Sequence, residues 1–169
     1  KAGAPAGCTL LGLSALPSCH PLNVGMLGMH GSLGANKNTQ KCDLLIAVGM
    51  RFDDRITGKL STYAQQAKKI HFDIDPSEIN KNVQVDVAVL GNCKETLREV
   101  TALLEKREHK DWRESFRPYD KEEERLVIQP QTHPEDGPLR MAEVIRNVTE
   151  ITQNKAIMVT DVGQNQMFS

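Results

Sequence analysis

The sequence predicts an α/β fold: a Rossmann-like parallel sheet flanked by helices. Three observations carry that expectation. Residues 44–50, LLIAVGM, are an apolar run without charge, the pattern of a strand buried on both faces of a parallel sheet. The run ends at Gly49, and Arg51, Asp53, Asp54 and Arg55 follow at once. Strand-like and helix-like segments then alternate, the order that produces parallel sheets.

Length and composition bound the class. The chain has 169 residues, 39% hydrophobic and 25% charged, in the range of a soluble globular protein with one domain or one domain and a further piece. A formal net charge of −1 gives no sign of a nucleic-acid partner or a membrane surface. Cys8, Cys19, Cys42 and Cys93 are scattered without a Cys-x-x-Cys pair. That favours reduced thiols and a cytoplasmic location over a disulfide frame or a zinc site. No apolar run reaches membrane length. The start on Lys1 and the stop just after an apparent strand suggest a piece of a larger protein.

The elements follow in order. Residues 6–13 read as a short strand, and Pro17 and Pro21 bracket a loop. Gly25, Gly28, Gly31 and Gly34 recur every third residue, with His30 among them. Such glycines permit close backbone approach to a ligand, although the spacing is not G-x-G-x-x-G. Residues 33–43 predict a short helix of poor intrinsic propensity, since it carries Asn36, Asn38 and Thr39. After the 44–50 strand and its charged turn, residues 59–68 read as a polar helix or loop. Residues 69–75, KIHFDID, alternate Ile70, Phe72 and Ile74 with His71, Asp73 and Asp75, a further strand. Residues 85–91 predict a third strand of this kind. Residues 94–107 predict an amphipathic helix with Leu97, Val100, Leu103 and Leu104 on one face.

The character changes at residues 108–138. Charges are dense and prolines recur at positions 118, 130, 134 and 138, the composition of a linker or a surface-wrapping segment. Met141, Val144, Ile145, Val148 and Ile151 then mark a second amphipathic helix. It leads to an expected strand at 156–160 and the turn at 161–164. The domain reading is therefore 1–107, a linker at 108–138, and the start of a second domain at 139–169.

Ligands of open α/β sheets bind beyond the carboxyl ends of the strands. The turn at 51–55 suits a phosphate or a sugar there, and it equally describes a solvated turn with internal ion pairs. Asp73 sits where a ribose-binding carboxylate would be, while Asp75 or Ser77 would cap a helical turn. From residues alone the reading reaches a nucleotide-like ligand and leaves it unnamed.

Four segments carry a resemblance: HPLNVGMLGMHGSLGAN, DLLIAVGMRFDDRITGK, HFDIDPSEINKN and VTDVGQNQM. Together they resemble the catalytic subunit of the acetohydroxyacid synthase (acetolactate synthase) family, across nearly the whole chain and least in the 108–138 segment. The resemblance implies a thiamine-diphosphate-dependent transferase with magnesium and FAD. Its reaction condenses pyruvate with a second 2-keto acid, with decarboxylation, in valine and isoleucine synthesis. It also implies a homo-oligomer and a small regulatory subunit as partners, beside the small-molecule 2-keto acids.

Carried over by motif, the flavin contacts would be Thr9 and Leu10, then Gly28, Met29, His30 and Gly31. Gly49, Arg51, Asp53, Arg55 and Ile56 would form the middle, Asp73 and Ile74 the adenosine end, and Gly91, Asn92 and Cys93 would stand beside them. Val162, Gly163 and Gln164 match the segment near the thiamine diphosphate. Asn165 stands where the family usually has histidine, and the helix after the glycines is more polar than the family's. The family's activating glutamate and its magnesium motif lie outside the sequence, so the resemblance implies no catalytic residue and no metal ligand here, and no synthase turnover by this chain alone. It also implies an apolar sheet face left open to self-association. Two alternatives stand beside it: the middle domain of a pyruvate oxidase or CoA-linked decarboxylase, and a non-catalytic nucleotide-binding scaffold.

Overall fold

The computed structural model describes residues 1–168. The chain divides into two compact units, Lys1–Pro118 and Tyr119–Ser169. The division falls inside the segment read from sequence as a linker.

The first unit carries five strands, all in parallel pairs. Strands β1 (Ala6–Cys8) and β2 (Asn23–Met26) pair with each other. Strands β3 (Leu44–Val48), β4 (Lys68–Asp73) and β5 (Val87–Leu90) form a second sheet in the order β3-β4-β5. Its register sets Ala47 beside His71 and His71 beside Ala88, with Ile46 beside Ile70 and Ile70 beside Val87. Helix α1 (Leu33–Thr39) follows β2, the short α2 (Asp54–Thr57) follows β3, and α3 (Cys93–Leu103) follows β5. The parallel α/β expectation therefore holds.

Four local expectations change. Residues 6–13 are not one strand: β1 ends at Cys8, and a 3₁₀ helix runs from Leu10 to Ala15. Strand β2 was hidden in sequence, because Asn-Val-Gly-Met is too short to show a period. Strand β3 is not buried on both faces. Ala47 is 2% exposed, whereas Leu44, Ile46 and Val48 keep 42–45% of their surface in solvent. Strand β4 is buried on both sides, with Lys69, His71 and Asp73 on one and Phe72 on the other, whereas Ile74 just past its end is 69% exposed.

The reason lies in the packing. The chain leaving β3 folds back under one face of the sheet, and the core forms there from Ala47, Phe52, Tyr63, Ala64 and Ala67. Phe52 meets Tyr63 and His71 edge-on, at centroid distances of 6.2 and 5.1 Å. Burying side chains of this size is the main favourable term in a small sheet. The opposite face, with Ile46 and Val87 on it, stays partly open.

Helix α1 has an inward polar side. Asn38 is 1% exposed and its Nδ2 donates to Ser115 Oγ at 3.1 Å. The low helix propensity of these residues is offset by tertiary hydrogen bonds.

In the second unit, the proline-containing and acidic stretch is helical rather than extended. Helix α5 (Arg117–Glu123), which spans the division, passes through a π-helical turn (Glu124–Ile128) into α6 (Gln129–Thr132). Helix α4 (Lys110–Glu114) precedes it in the first unit. The expected second amphipathic helix is α7 (Met141–Ile151). The expected strand at 156–160 is not formed. Those residues have no ladder partner among the described residues, and Ile157 and Val159 are 92% and 91% exposed. A strand needs a neighbour to satisfy its backbone groups. Helix α8 (Gln164–Phe168) closes the described chain.

Candidate functional site

The residues singled out in the first unit share one address. Thr9 and Leu10 follow the end of β1, Gly28 to Gly31 follow β2, and Gly49 to Ile56 follow β3. Asp73 and Ile74 end β4, and Gly91 to Cys93 follow β5. All lie at or just past the carboxyl ends of parallel strands, where open α/β sheets bind ligands.

Two groups of them touch. The first joins the glycine loop to the charged turn. The N–H of Met29 donates to the carbonyl of Arg55 at 2.8 Å. Gly28 has φ +102°, and a Cβ on it would stand 2.5 Å from the Arg55 carbonyl oxygen and 3.0 Å from Ile56 Cδ1. Only glycine fits both the backbone conformation and the approach. Asn36 holds the loop from behind: its Oδ1 accepts from Gly28 N at 3.0 Å and its Nδ2 donates to Gly28 O at 2.8 Å.

The second group lies across the three-stranded sheet. Gly49 N donates to Phe72 O at 2.8 Å, and Gly91 N donates to Asp73 O at 2.9 Å. Cys93 Sγ stands 4.0 Å from where a Cβ on Gly49 would be. Asn92 caps α3, its Oδ1 accepting from Lys94 N at 2.9 Å.

The charged turn combines rigidity with free charge. Asp53 caps α2 by accepting the Arg55 N–H at 3.1 Å. Arg51 meets Asp53 only at 3.4 Å and Arg55 meets Asp54 only at 3.9 Å, with guanidinium side chains 69% and 72% exposed. Exposed pairs this loose are worth little, so both guanidiniums can turn to an anion without losing much. The backbone behind them is strained: Phe52 is in the left-handed region at φ +51° and yet is 2% exposed. Strain of this kind concentrates at ligand turns.

Asp73 is more committed than its sequence position suggested. Its Oδ1 already accepts from Asp75 N at 2.9 Å, and the side chain is 10% exposed. Its other oxygen, Oδ2, lies 3.5 Å from the buried His71 Nε2. Asp75 is the cap expected of it, accepting from Ser77 N at 2.8 Å. Hydrogen bonding to Ser77 holds its carboxyl below the ordinary carboxylate range. His30 and Met29 lie exposed on the loop.

In the second unit, Val162, Gly163 and Gln164 form the turn into α8, with Val162 N donating to Asp161 Oδ1 at 2.7 Å. Val162 is 88% exposed. A Cβ on Gly163 would stand 3.0 Å from Asn165 Oδ1, so the unusual asparagine lies directly on this turn.

Three residues that matter here escaped the sequence reading: Asn36, His71 and Asn82. Asn82 Nδ2 donates to the Arg51 carbonyl at 3.1 Å across a separation of 31 residues. All three stand inside the segments quoted for the resemblance, Asn36 and Asn82 at their ends and His71 at a start, but only the fold shows what they contact. No group of three His, Cys, Asp or Glu among the described residues is arranged to hold a metal ion. All four cysteines are free.

These residues line the strand ends of a parallel α/β domain, the edge at which such sheets bind ligands. Residues 1–100 match the family described as the thiamine pyrophosphate enzyme, central domain, and the chain belongs to that family. It is 41% identical over 170 residues to a probable acetolactate synthase large subunit of Methanocaldococcus jannaschii, covering 97% of this chain and 28% of that protein. It is also 41% identical to the chloroplastic acetolactate synthase 1 of Oryza sativa subsp. japonica, covering 99% of this chain and 26% of the relative. With the acetolactate synthase large subunit of Parasynechococcus marenigrum the identity is 43%, over 98% of this chain and 26% of the relative. The chain thus spans about a quarter of the length of these relatives.

Proposed function

We propose that this chain is the flavin-binding central domain of an acetolactate synthase catalytic subunit, continuing into the start of its thiamine-diphosphate-binding domain. The observation that carries the reading is that every flavin residue expected by motif stands at the carboxyl end of a strand. The glycine loop and the charged turn are also joined by a direct backbone bond.

The residues present fit an extended FAD. Arg51 and Arg55 would hold the diphosphate, since guanidinium offers a planar fork of donors to phosphate oxygens. Gly28 to Gly31 would let the backbone run close to the ligand. Asp73 would accept from a ribose hydroxyl through Oδ2, with Ile74 beside the adenosine end. Thr9, Leu10, Gly91, Asn92 and Cys93 would line the remaining wall. FAD, when bound, holds the fold of the site and takes no redox part in the condensation. Val162, Gly163 and Gln164 would approach the diphosphate of thiamine diphosphate, which supplies the nucleophilic carbon. Magnesium belongs to that second site.

The whole protein would condense two 2-keto acids, pyruvate with pyruvate or with 2-ketobutyrate, as a cytoplasmic homo-oligomer with a small regulatory subunit. This chain by itself would contribute a binding site and no turnover. No helix among the described residues is long and apolar enough to cross a membrane. Assay of the full-length protein for acetolactate and for acetate tests the reading: acetolactate supports it, and acetate or acetyl phosphate without acetolactate would place the protein with the oxidases instead.

A further inference from the structure

We propose that His71 is a positioning residue for the flavin site: its imidazole fixes the backbone that aims Arg51 at the diphosphate. The proposal rests on the flavin reading given above.

His71 is 0% exposed, at the centre of the core face of β4. Its Nε2 lies 2.9 Å from the Met50 carbonyl oxygen. A carbonyl only accepts, so the hydrogen is on Nε2 and the tautomer is set. Nδ1 is buried and has no hydrogen-bond partner. An apolar side chain of similar size would avoid leaving that nitrogen unsatisfied. The gain from histidine therefore lies in what Nε2 holds.

What Nε2 holds is the first residue past the last sheet bond. Strand pairing ends where Gly49 N donates to Phe72 O. Gly49 then turns at φ +60°, and Phe52 turns again at φ +51°. Between those turns, two successive carbonyls are taken by side chains. His71 takes Met50, and Asn82 takes Arg51 at 3.1 Å. The Phe52 ring closes on the imidazole edge-on, 5.1 Å away at 76°. With the Met50 carbonyl and the Phe52 ring held on the core side and the Arg51 carbonyl taken by exposed Asn82, the Arg51 side chain stands in solvent, 69% exposed. The same imidazole edge also faces the adenosine end, with Nε2 3.5 Å from Asp73 Oδ2. One buried side chain thus touches the segments expected to hold the middle and the adenosine end of the ligand.

Two substitutions separate this role from packing. His71→Gln can keep a donor near the Nε2 position. His71→Asn is as polar, but its donor falls near the Nδ1 position and cannot reach Met50. The experiment titrates the whole 169-residue chain with FAD, following flavin fluorescence, for wild type and both variants. Circular dichroism reports folding, and ¹⁵N NMR of the wild-type imidazoles reports the tautomer. The expected result is a FAD Kd within about threefold of wild type for His71→Gln and about tenfold weaker or more for His71→Asn. The His71 resonances, assigned by their loss in the variants, should be those of the Nε2–H form. FAD binding by folded His71→Asn equal to that of wild type would overturn the proposal. So would equal losses in the two variants, or an Nδ1–H tautomer. Should His71→Asn not fold, a His71→Gln Kd more than tenfold weaker than wild type would overturn it equally. Wild-type chain that binds no FAD would sink the flavin reading and this proposal together, whereas wild-type binding indifferent to His71 would sink this proposal alone.

Discussion

The backbone N–H of Met29 donates to the carbonyl of Arg55 at 2.8 Å, so the glycine loop after β2 and the charged turn after β3 are one piece of structure. Gly28 makes that contact possible. A methyl group there would meet the Arg55 carbonyl at 2.5 Å, on a backbone at φ +102°. Gly28→Ala should destabilise the unit by about 1–3 kcal/mol and weaken flavin binding more than it lowers the unfolding midpoint. Thermal unfolding and flavin titration of the same variant measure the two effects. Unchanged binding would show that the loop and the turn do not act together on a ligand.

Asn36 makes two hydrogen bonds to Gly28, as acceptor from its N–H and as donor to its carbonyl. Asn36→Ala gains intrinsic helix propensity and leaves both backbone groups short of a partner. We expect a net loss of about 1–2 kcal/mol, read as a lower urea midpoint. A variant as stable as wild type would mean that the clamp contributes nothing.

Burial, with a smaller contribution from nearby Cys42, pushes the Tyr63 phenol up to about 12 from an ordinary 10.0. The folded state holds this proton more tightly than the unfolded state. The stability it contributes is full below the unfolded pKa and is lost as pH rises from there through the folded value. The loss should be on the order of 2–3 kcal/mol between about pH 10 and 12. Tyr63→Phe keeps the edge-on contact with Phe52 and should flatten this alkaline limb. Urea unfolding across that range, with phenolate absorbance followed in parallel, checks it. An alkaline limb as steep in Tyr63→Phe as in wild type would contradict the assignment.

The open face of the three-stranded sheet carries Ile46 at 45% exposure and Val87 at 49%, in line across the strands. Strand β3 is also at the edge of its sheet. Exposed apolar patches and free edges promote association. The chain should therefore self-associate at micromolar concentration, and Ile46→Lys should shift it toward monomer. Size-exclusion chromatography with light scattering decides this, and a clean wild-type monomer would count against it.

The legible parts of the fold were those with a period. Strand β3 showed as an uncharged run, and α3 and α7 showed as apolar stripes. Strand β2 did not, because its four residues include a glycine and no alternation. The helices from 117 to 132 were hidden by charge and by two prolines: Pro118 lies in the first turn of α5, where a missing N–H costs little, and Pro130 follows the π-helical turn. The 156–160 run, AIMVT, reads as a strand because it is short, uncharged and apolar, but composition does not supply a partner. For the candidate site, the glycine and charge motifs fall at the carboxyl ends of the strands. The residues that shape it, Asn36, His71 and Asn82, act through contacts across 8 to 31 residues, which no local pattern encodes. The alternation in β4 leaves open which side is buried, because that depends on where the chain after β3 returns; both His71 and Phe72 are interior.

The central claim is that this chain carries a diphosphate-recognising flavin site at its strand ends. The most direct measurement is a FAD titration of the chain by flavin fluorescence, with Arg51→Ala and Arg55→Ala beside wild type and the salt concentration varied. Both guanidiniums are exposed and only loosely paired, so binding should be saturable, weaken with salt, and fall about tenfold or more in each variant. Riboflavin, which lacks the diphosphate, should bind more weakly than FAD and be indifferent to both substitutions. No saturable binding by the folded wild-type chain, or FAD binding equal in wild type and both variants, would contradict the account.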